Sequence, residues 1–160
     1  MNQLQELLGY RFKKTELLQQ ALKHRSAGAK HNERLEFLGD AVLELAITDL
    51  LYRQFSTSDE GRLTRFRARL VRKETLAERA RALTLGQFLE LGPGERKSGG
   101  ADRDSILADA FEAILGAIYL DVGFLGVKER VENWFGQTLE GLEALSQEKD
   151  PKTRLQEQLQ

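Results

Sequence analysis

Apolar residues recur at three- and four-residue steps along nearly the whole chain of 160 residues, and only two prolines interrupt it. That periodicity predicts an all-α domain. No stretch alternates convincingly as a strand, and no internal repeat is visible. Helices are expected over residues 4–8, 15–24 and 32–55, the last long enough to bend at Gly39. A further helical stretch runs over 59–83 with a break near Lys73, and 86–91 reads as short. Residues 92–100, GPGERKSGG, read as a loop, because four glycines and a proline do not sustain a helix. Ser105 is the expected N-cap of the next helix. From 124 to 145, Val127, Val131, Trp134, Phe135, Leu139 and Leu142 fall on one face, which is the pattern of a core-facing helix. Pro151 follows a polar stretch and opens a short tail that still reads as helical.

Two of these helices carry acids where an apolar pattern would exclude them. Glu36 and Asp40 stand at i, i+4 within NERLEFLGD (32–40), and Asp109 and Glu112 stand at i, i+3 within SILADAFEAIL (105–115). Each spacing places both carboxylates on one helix face. The segments continue as AVL and GAIYL, so both helices are expected to be largely buried. An unpaired carboxylate there costs several kcal/mol unless a positive charge compensates it. Pairing with arginines, or a place at an exposed helix edge, is the commoner fate of one such pair. Two matched pairs shift the balance toward a shared divalent cation. Oxygen donors without cysteine or a suitably placed histidine favour a hard ion, Mg²⁺, with Mn²⁺ as a substitute.

Composition narrows the setting. A hydrophobic share of 41% with 31% charged residues describes a globular chain rather than a disordered one, and the absence of cysteine excludes disulfides and thiolate metal sites. No apolar run approaches the ~20 residues that span a bilayer, and the polar start MNQLQE lacks the basic and apolar regions of a signal peptide. A cytoplasmic protein is expected. The net charge of −1 says nothing about nucleic acid, but its distribution does. Between Arg62 and Arg81 eight basic residues face two acidic ones, and Arg62, Arg65, Arg69 and Arg72 recur at helical steps opposite Leu63, Phe66 and Leu70. Such a stripe suits a phosphate backbone; a solvated face neutralised from other helices is the alternative.

The run NERLEFLGD followed by AVLE resembles the signature of the ribonuclease III family. LGYRF (8–12), ALKHRS (21–26), DEG (59–61), RARLV (67–71) and DAFEA (109–113) follow in family order, so the resemblance covers essentially the whole chain. It implies an all-helical endonuclease domain that dimerises and cuts double-stranded RNA in a valley between subunits. By matching position, Glu36, Asp40, Asp109 and Glu112 take the metal-binding roles, with Asp40 and Glu112 central to catalysis. Glu33 and Glu60 match two further cleft acids, and Phe37 matches an aromatic that plugs a pocket of the partner subunit; a core role is the alternative for Phe37. The implied products carry 5′-phosphate and 3′-hydroxyl ends with short 3′ overhangs, as in processing of ribosomal and messenger RNA precursors. Arg62, Arg65, Arg69 and Arg72, with Arg96 and Lys97 of the glycine-rich loop, are the candidates to line the RNA groove.

The chain departs from the family pattern at Lys23, where threonine is usual, and at Ser56, where proline is frequent. Bacterial members of the family also normally continue beyond residues 150–157 through a linker into a double-stranded-RNA-binding domain. Residues 1–147 are therefore expected to form the nuclease domain and 148–160 the start of a linker, as in a truncated form. Two other readings are weaker. A non-catalytic RNA-binding relative would have lost its acids, and a di-metal redox bundle wants Glu-x-x-His pairs, which neither His24 nor His31 completes. His24 is expected to hydrogen-bond a neighbouring helix and His31 to lie at the surface before a helix start.

Overall fold

The computed structural model describes residues 1–159, with side chains described through residue 145. Among the described residues eight α-helices follow in order: α1 (Asn2–Leu8), α2 (Thr15–Ala21), α3 (Glu33–Gln54), α4 (Glu60–Val71), α5 (Lys73–Ala82), α6 (Pro93–Lys97), α7 (Asp104–Val122) and α8 (Phe124–Leu159). Short 3-10 turns at Arg25–Ala27, Leu85–Phe88 and Gly100–Asp102 connect them. Among the described residues no strand forms beyond one isolated bridge between Lys23 and Glu90. None of the described helices is long and apolar enough to cross a membrane.

α7 is the axis of the domain. Ile106 to Ile118 is almost continuously apolar apart from Asp109 and Glu112, and Ala110, Phe111, Ala113, Ile114, Leu115, Ala117 and Ile118 are all fully buried. A helix apolar on nearly all sides must be covered from several directions. α3 packs along it most extensively, with α5, α2 and α8 around the rest. Glycine makes the α3–α7 contact intimate. A Cβ built on Gly39 would lie 1.7 Å from the Glu112 carbonyl oxygen, and one on Gly116 would lie 2.3 Å from the Leu35 carbonyl oxygen. Gly39 therefore serves close approach of two backbones, and α3 runs unbroken through it rather than bending into separate segments.

Several expected boundaries shift. α2 ends at Ala21, three residues early, because the Lys23–Glu90 bridge pulls the chain out of the helix. The break near Lys73 falls at Arg72, whose extended backbone (ψ 153°) separates α4 from α5. Residues 86–91 hold only the 3-10 turn, and the glycine-rich stretch forms the short α6 with Pro93 at its first turn. Ser105 lies inside α7, whose N-cap is Arg103. Residues 124–145 form the expected amphipathic helix, with Val127, Val131, Phe135, Leu139 and Leu142 in the core and Trp134 packed against it. The backbone of α8 continues to Leu159, while the expected domain boundary at 147/148 lies outside the residues whose side chains are described.

Polar clips tie the ends to this core. The carboxylate of Asp121, at the end of α7, accepts from the Tyr10 hydroxyl and from the backbone N–H groups of Lys13 and Lys14. At the signature's first residue, the buried Asn32 donates from Nδ2 to the Ala21 carbonyl at 3.0 Å, while its own carbonyl accepts the Glu36 N–H at 2.8 Å. This residue fixes the start of α3 against the end of α2.

Candidate active site

The first two turns of α3 and the second turn of α7 face each other across the Gly39–Gly116 contact. Glu33, Glu36, Phe37, Asp40, Asp109 and Glu112 consequently line one open groove. Glu36, Asp109 and Glu112 each present a carboxylate oxygen within 4.8 Å of the others. Asp40 hydrogen-bonds to Glu112, and Glu36 to Asp109, so each acid of one helix is paired with an acid of the other. The acids are less enclosed than their apolar flanks suggested. Glu36, Asp109 and Glu112 are half-buried and Asp40 is exposed, because the groove runs along the edge of the helix pair.

Like charges this close cannot all remain ionised. Burial, then the hydrogen bond and charge of Asp40, then the charges of Glu36 and Asp109, push the Glu112 carboxyl up to about 9. Burial and the charge of Asp109 are the leading causes that raise Glu36 to about 7. Burial also raises Asp109, opposed by its Glu36 hydrogen bond and by the neighbouring basic side chains His24, Lys73 and Arg25. Carboxyls crowded this closely disfavour one another's charge, and a bound cation would relieve that repulsion. Three convergent carboxylate oxygens with a fourth acid bonded to one of them, and no nitrogen or sulfur ligand, fit a hard divalent ion.

The structure separates other candidates. Glu60 lines a different cleft with Tyr52, Leu63 and Arg67, while Glu33 stays at the acid groove and pairs with Arg25 at 3.6 Å. Phe37 is 84% exposed, which excludes the core role within this chain. Arg65 and Arg69 are exposed on α4 and Arg62 is half-buried there. Arg72 drops out of the helical stripe, since it sits at the α4–α5 break and donates to the Thr75 hydroxyl at 3.2 Å. Arg67 turns toward α3, bonding Thr48 at 3.1 Å and facing Glu44 at 3.8 Å. Arg96 and Lys97 are both exposed on α6, and Arg96 also donates to the Leu89 carbonyl at 3.0 Å.

Both histidines act locally. His24 bonds not to a neighbouring helix but within its own turn: Nδ1 accepts the Ser26 N–H at 3.1 Å and lies 2.8 Å from the Ser26 hydroxyl. His31 stands just before α3, where Nδ1 accepts from the Glu33 N–H at 3.4 Å. The functional neighbours that sequence reasoning missed are the basic side chains around Asp109, namely His24, Arg25 and Lys73. They come from the 23–26 turn and the start of α5, and only the KHRS run gave any signal of them.

A family description, Ribonuclease-III-like, matches residues 14–139. The chain belongs to the ribonuclease III family. It is 58% identical to Ribonuclease 3 of Vibrio cholerae and 55% identical to that of Proteus mirabilis, in each case over all 160 residues and 71% of the relative. Two structures of the nuclease domain of the Campylobacter jejuni enzyme superpose with TM-scores of 0.82 and 0.83 at 42% and 41% identity. They cover 84% and 86% of this chain and 95% of each structure. One of them is described by flexibility in a region involved in dimer formation. A Dicer from Pichia stipitis matches more distantly, with TM-score 0.66 and 29% identity over 82% of this chain and 58% of its own. As a ribonuclease III family member the chain is an endoribonuclease of the hydrolase class.

Proposed function

We propose that this ribonuclease III domain hydrolyses phosphodiester bonds of double-stranded RNA with Mg²⁺, or Mn²⁺ in its place, at the groove between α3 and α7. The observation that carries the reading is the convergence of Glu36, Asp109 and Glu112, with Asp40 bonded to Glu112, in a groove open to a macromolecular substrate. Glu36, Asp109 and Glu112 would hold the ion, and Asp40 keeps the Glu112 carboxyl in place. When bound, the ion supplies charge that neutralises the phosphate oxygens and lowers the pKa of an attacking water. Asp40, exposed to the groove, accepts the proton released as water attacks phosphorus. As the P–O3′ bond breaks, the 3′ oxygen takes up a proton from solvent, giving a 3′-hydroxyl and a 5′-phosphate.

Two cuts across one duplex need two such grooves held in register, which a symmetric homodimer provides. Phe37, exposed beside Glu36, is the anchor of that interface. Short 3′ overhangs result where the two cuts are staggered across the duplex. Glu33 borders the acids directly, whereas Glu60 lines another cleft of the same chain. Arg62, Arg65 and Arg69, with Lys97, supply phosphate contacts that read backbone shape rather than sequence. Arg72 and Arg96 are already engaged within the fold and play a smaller part. Cytoplasmic precursors of ribosomal and messenger RNA are the natural substrates on this reading.

A gel assay of a labelled RNA duplex tests it. The wild type cuts with Mg²⁺ and not with EDTA, and Glu112→Ala protein leaves the duplex intact while remaining folded. Undiminished cleavage by the Glu112→Ala protein would overturn the site.

A further inference from the structure

Beside the acid groove, and sharing Glu33, Glu36 and Asp109 with it, lies a second cleft of about 220 Å³. Away from the shared acids it is lined by His24, Arg25, Ser105 and Arg103, the last beside Glu95. The cleft is smaller than the roughly 300–1,000 Å³ of a typical small-molecule site, which suits a phosphate and its sugar rather than a base or a cofactor.

The donors differ in how firmly they are held. Arg103 is bound to Glu95 and to the Ser98 carbonyl, so it forms a fixed wall. His24 accepts the Ser26 N–H at Nδ1, which places its own proton on Nε2 and leaves that donor for the cleft it lines. Among the described residues the Arg25 side chain pairs only with Glu33, at 3.6 Å, with side chains 72% and 51% exposed. Exposed pairs at such distances contribute little and exchange readily for a stronger anion. A ligand spanning both clefts must offer one oxygen group to the acid groove and a second anion to Arg25. A nucleic-acid backbone carries such anions at regular intervals.

We propose that this cleft is a phosphate subsite of the RNA substrate, in which Arg25 and the His24 Nε2–H receive the phosphate adjoining the cleaved bond and so register the backbone against the acids. This inference rests on the proposed double-stranded-RNA reading of the acid groove. It makes Arg25 and His24 substrate-contacting residues additional to the four acids.

The test pairs protein variants with duplexes in which one phosphate at a time, near the cut, is replaced by an uncharged methylphosphonate. Affinity is measured in EDTA and single-turnover cleavage in Mg²⁺. The wild type should lose roughly tenfold in affinity at one adjoining position, the scale of a charge-assisted hydrogen bond. Arg25→Gln protein should lose that tenfold already with unmodified RNA and nothing further at that position. Additional loss should persist at every other position, and Arg25→Lys should restore most of the affinity. An unchanged melting temperature shows that the variant is folded. If Arg25→Gln loses affinity equally at all positions, or not at all, Arg25 belongs only to an ion-paired rim and the subsite is wrong. Because affinity is read without metal, position-specific suppression supports the subsite even if no cleavage occurs. Cleavage with purely additive losses rejects it while leaving the acid groove standing.

Discussion

Replacing Glu112 with glutamine should stabilise the metal-free domain, although the residue is central to the proposed chemistry. In the folded chain Glu112 is raised to about 9 from an ordinary 4.5, by burial and by Asp40, Glu36 and Asp109. Between those two values the folded state holds a proton that the unfolded chain releases. Stability therefore falls as pH rises through the window, by at most about 1.4 kcal/mol for each pH unit. At pH 8 that amounts to about 5 kcal/mol, and because the carboxyl remains partly accessible to water we discount it to about 2 kcal/mol. Glutamine carries no such linkage and still donates a hydrogen bond to Asp40. Urea unfolding in EDTA should show the variant more stable than wild type by about 2 kcal/mol at pH 8 and nearly equal to it at pH 5. Adding Mg²⁺ should reverse the order, since an ion that binds only the folded state stabilises the protein with the intact ligand set. A variant no more stable than wild type at pH 8 in EDTA would refute the like-charge reasoning.

Other perturbations probe the scaffold and the surfaces. Gly116→Ala drives a Cβ toward the Leu35 carbonyl and should lower stability by roughly 1–3 kcal/mol. It should also weaken Mg²⁺ binding, measured by calorimetry, because the two acid pairs are pushed apart. Phe37→Glu should convert a dimer of roughly twice the 18.1 kDa chain mass into monomers in sedimentation, with little change in the melting temperature of the monomer. Arg65→Ala with Arg69→Ala should weaken binding of every duplex alike and flatten the salt dependence by roughly one unit of slope per lost phosphate contact. An unchanged slope would mark α4 as a solvated face.

Much of this was legible along the chain because helical periodicity is a local property. The apolar spacing placed α3 and the amphipathic part of α8 nearly to the residue and the start of α7 within two, and it put Glu36 with Asp40, and Asp109 with Glu112, on common faces. The acids stood out because such positions otherwise belong to a core. Where local propensity competed with long-range contacts, tertiary structure decided. The glycine-rich stretch read as a loop, yet Pro93 starts a helix there whose entry packs on Ser26, the Gly92 N–H donating to the Ser26 hydroxyl at 2.9 Å. Ser105 is a good cap by residue type, but Arg103 leaves the helix first. Most decisively, nothing local says that the two acid faces meet. That depends on Gly39 and Gly116 lying opposite each other, so that two backbones approach closely enough for Asp40 to bond Glu112 and Glu36 to bond Asp109. The same packing carries His24, Arg25 and Lys73 up to Asp109 and leaves Glu60 in another cleft, because charges far apart in sequence acquire neighbours only when the chain closes.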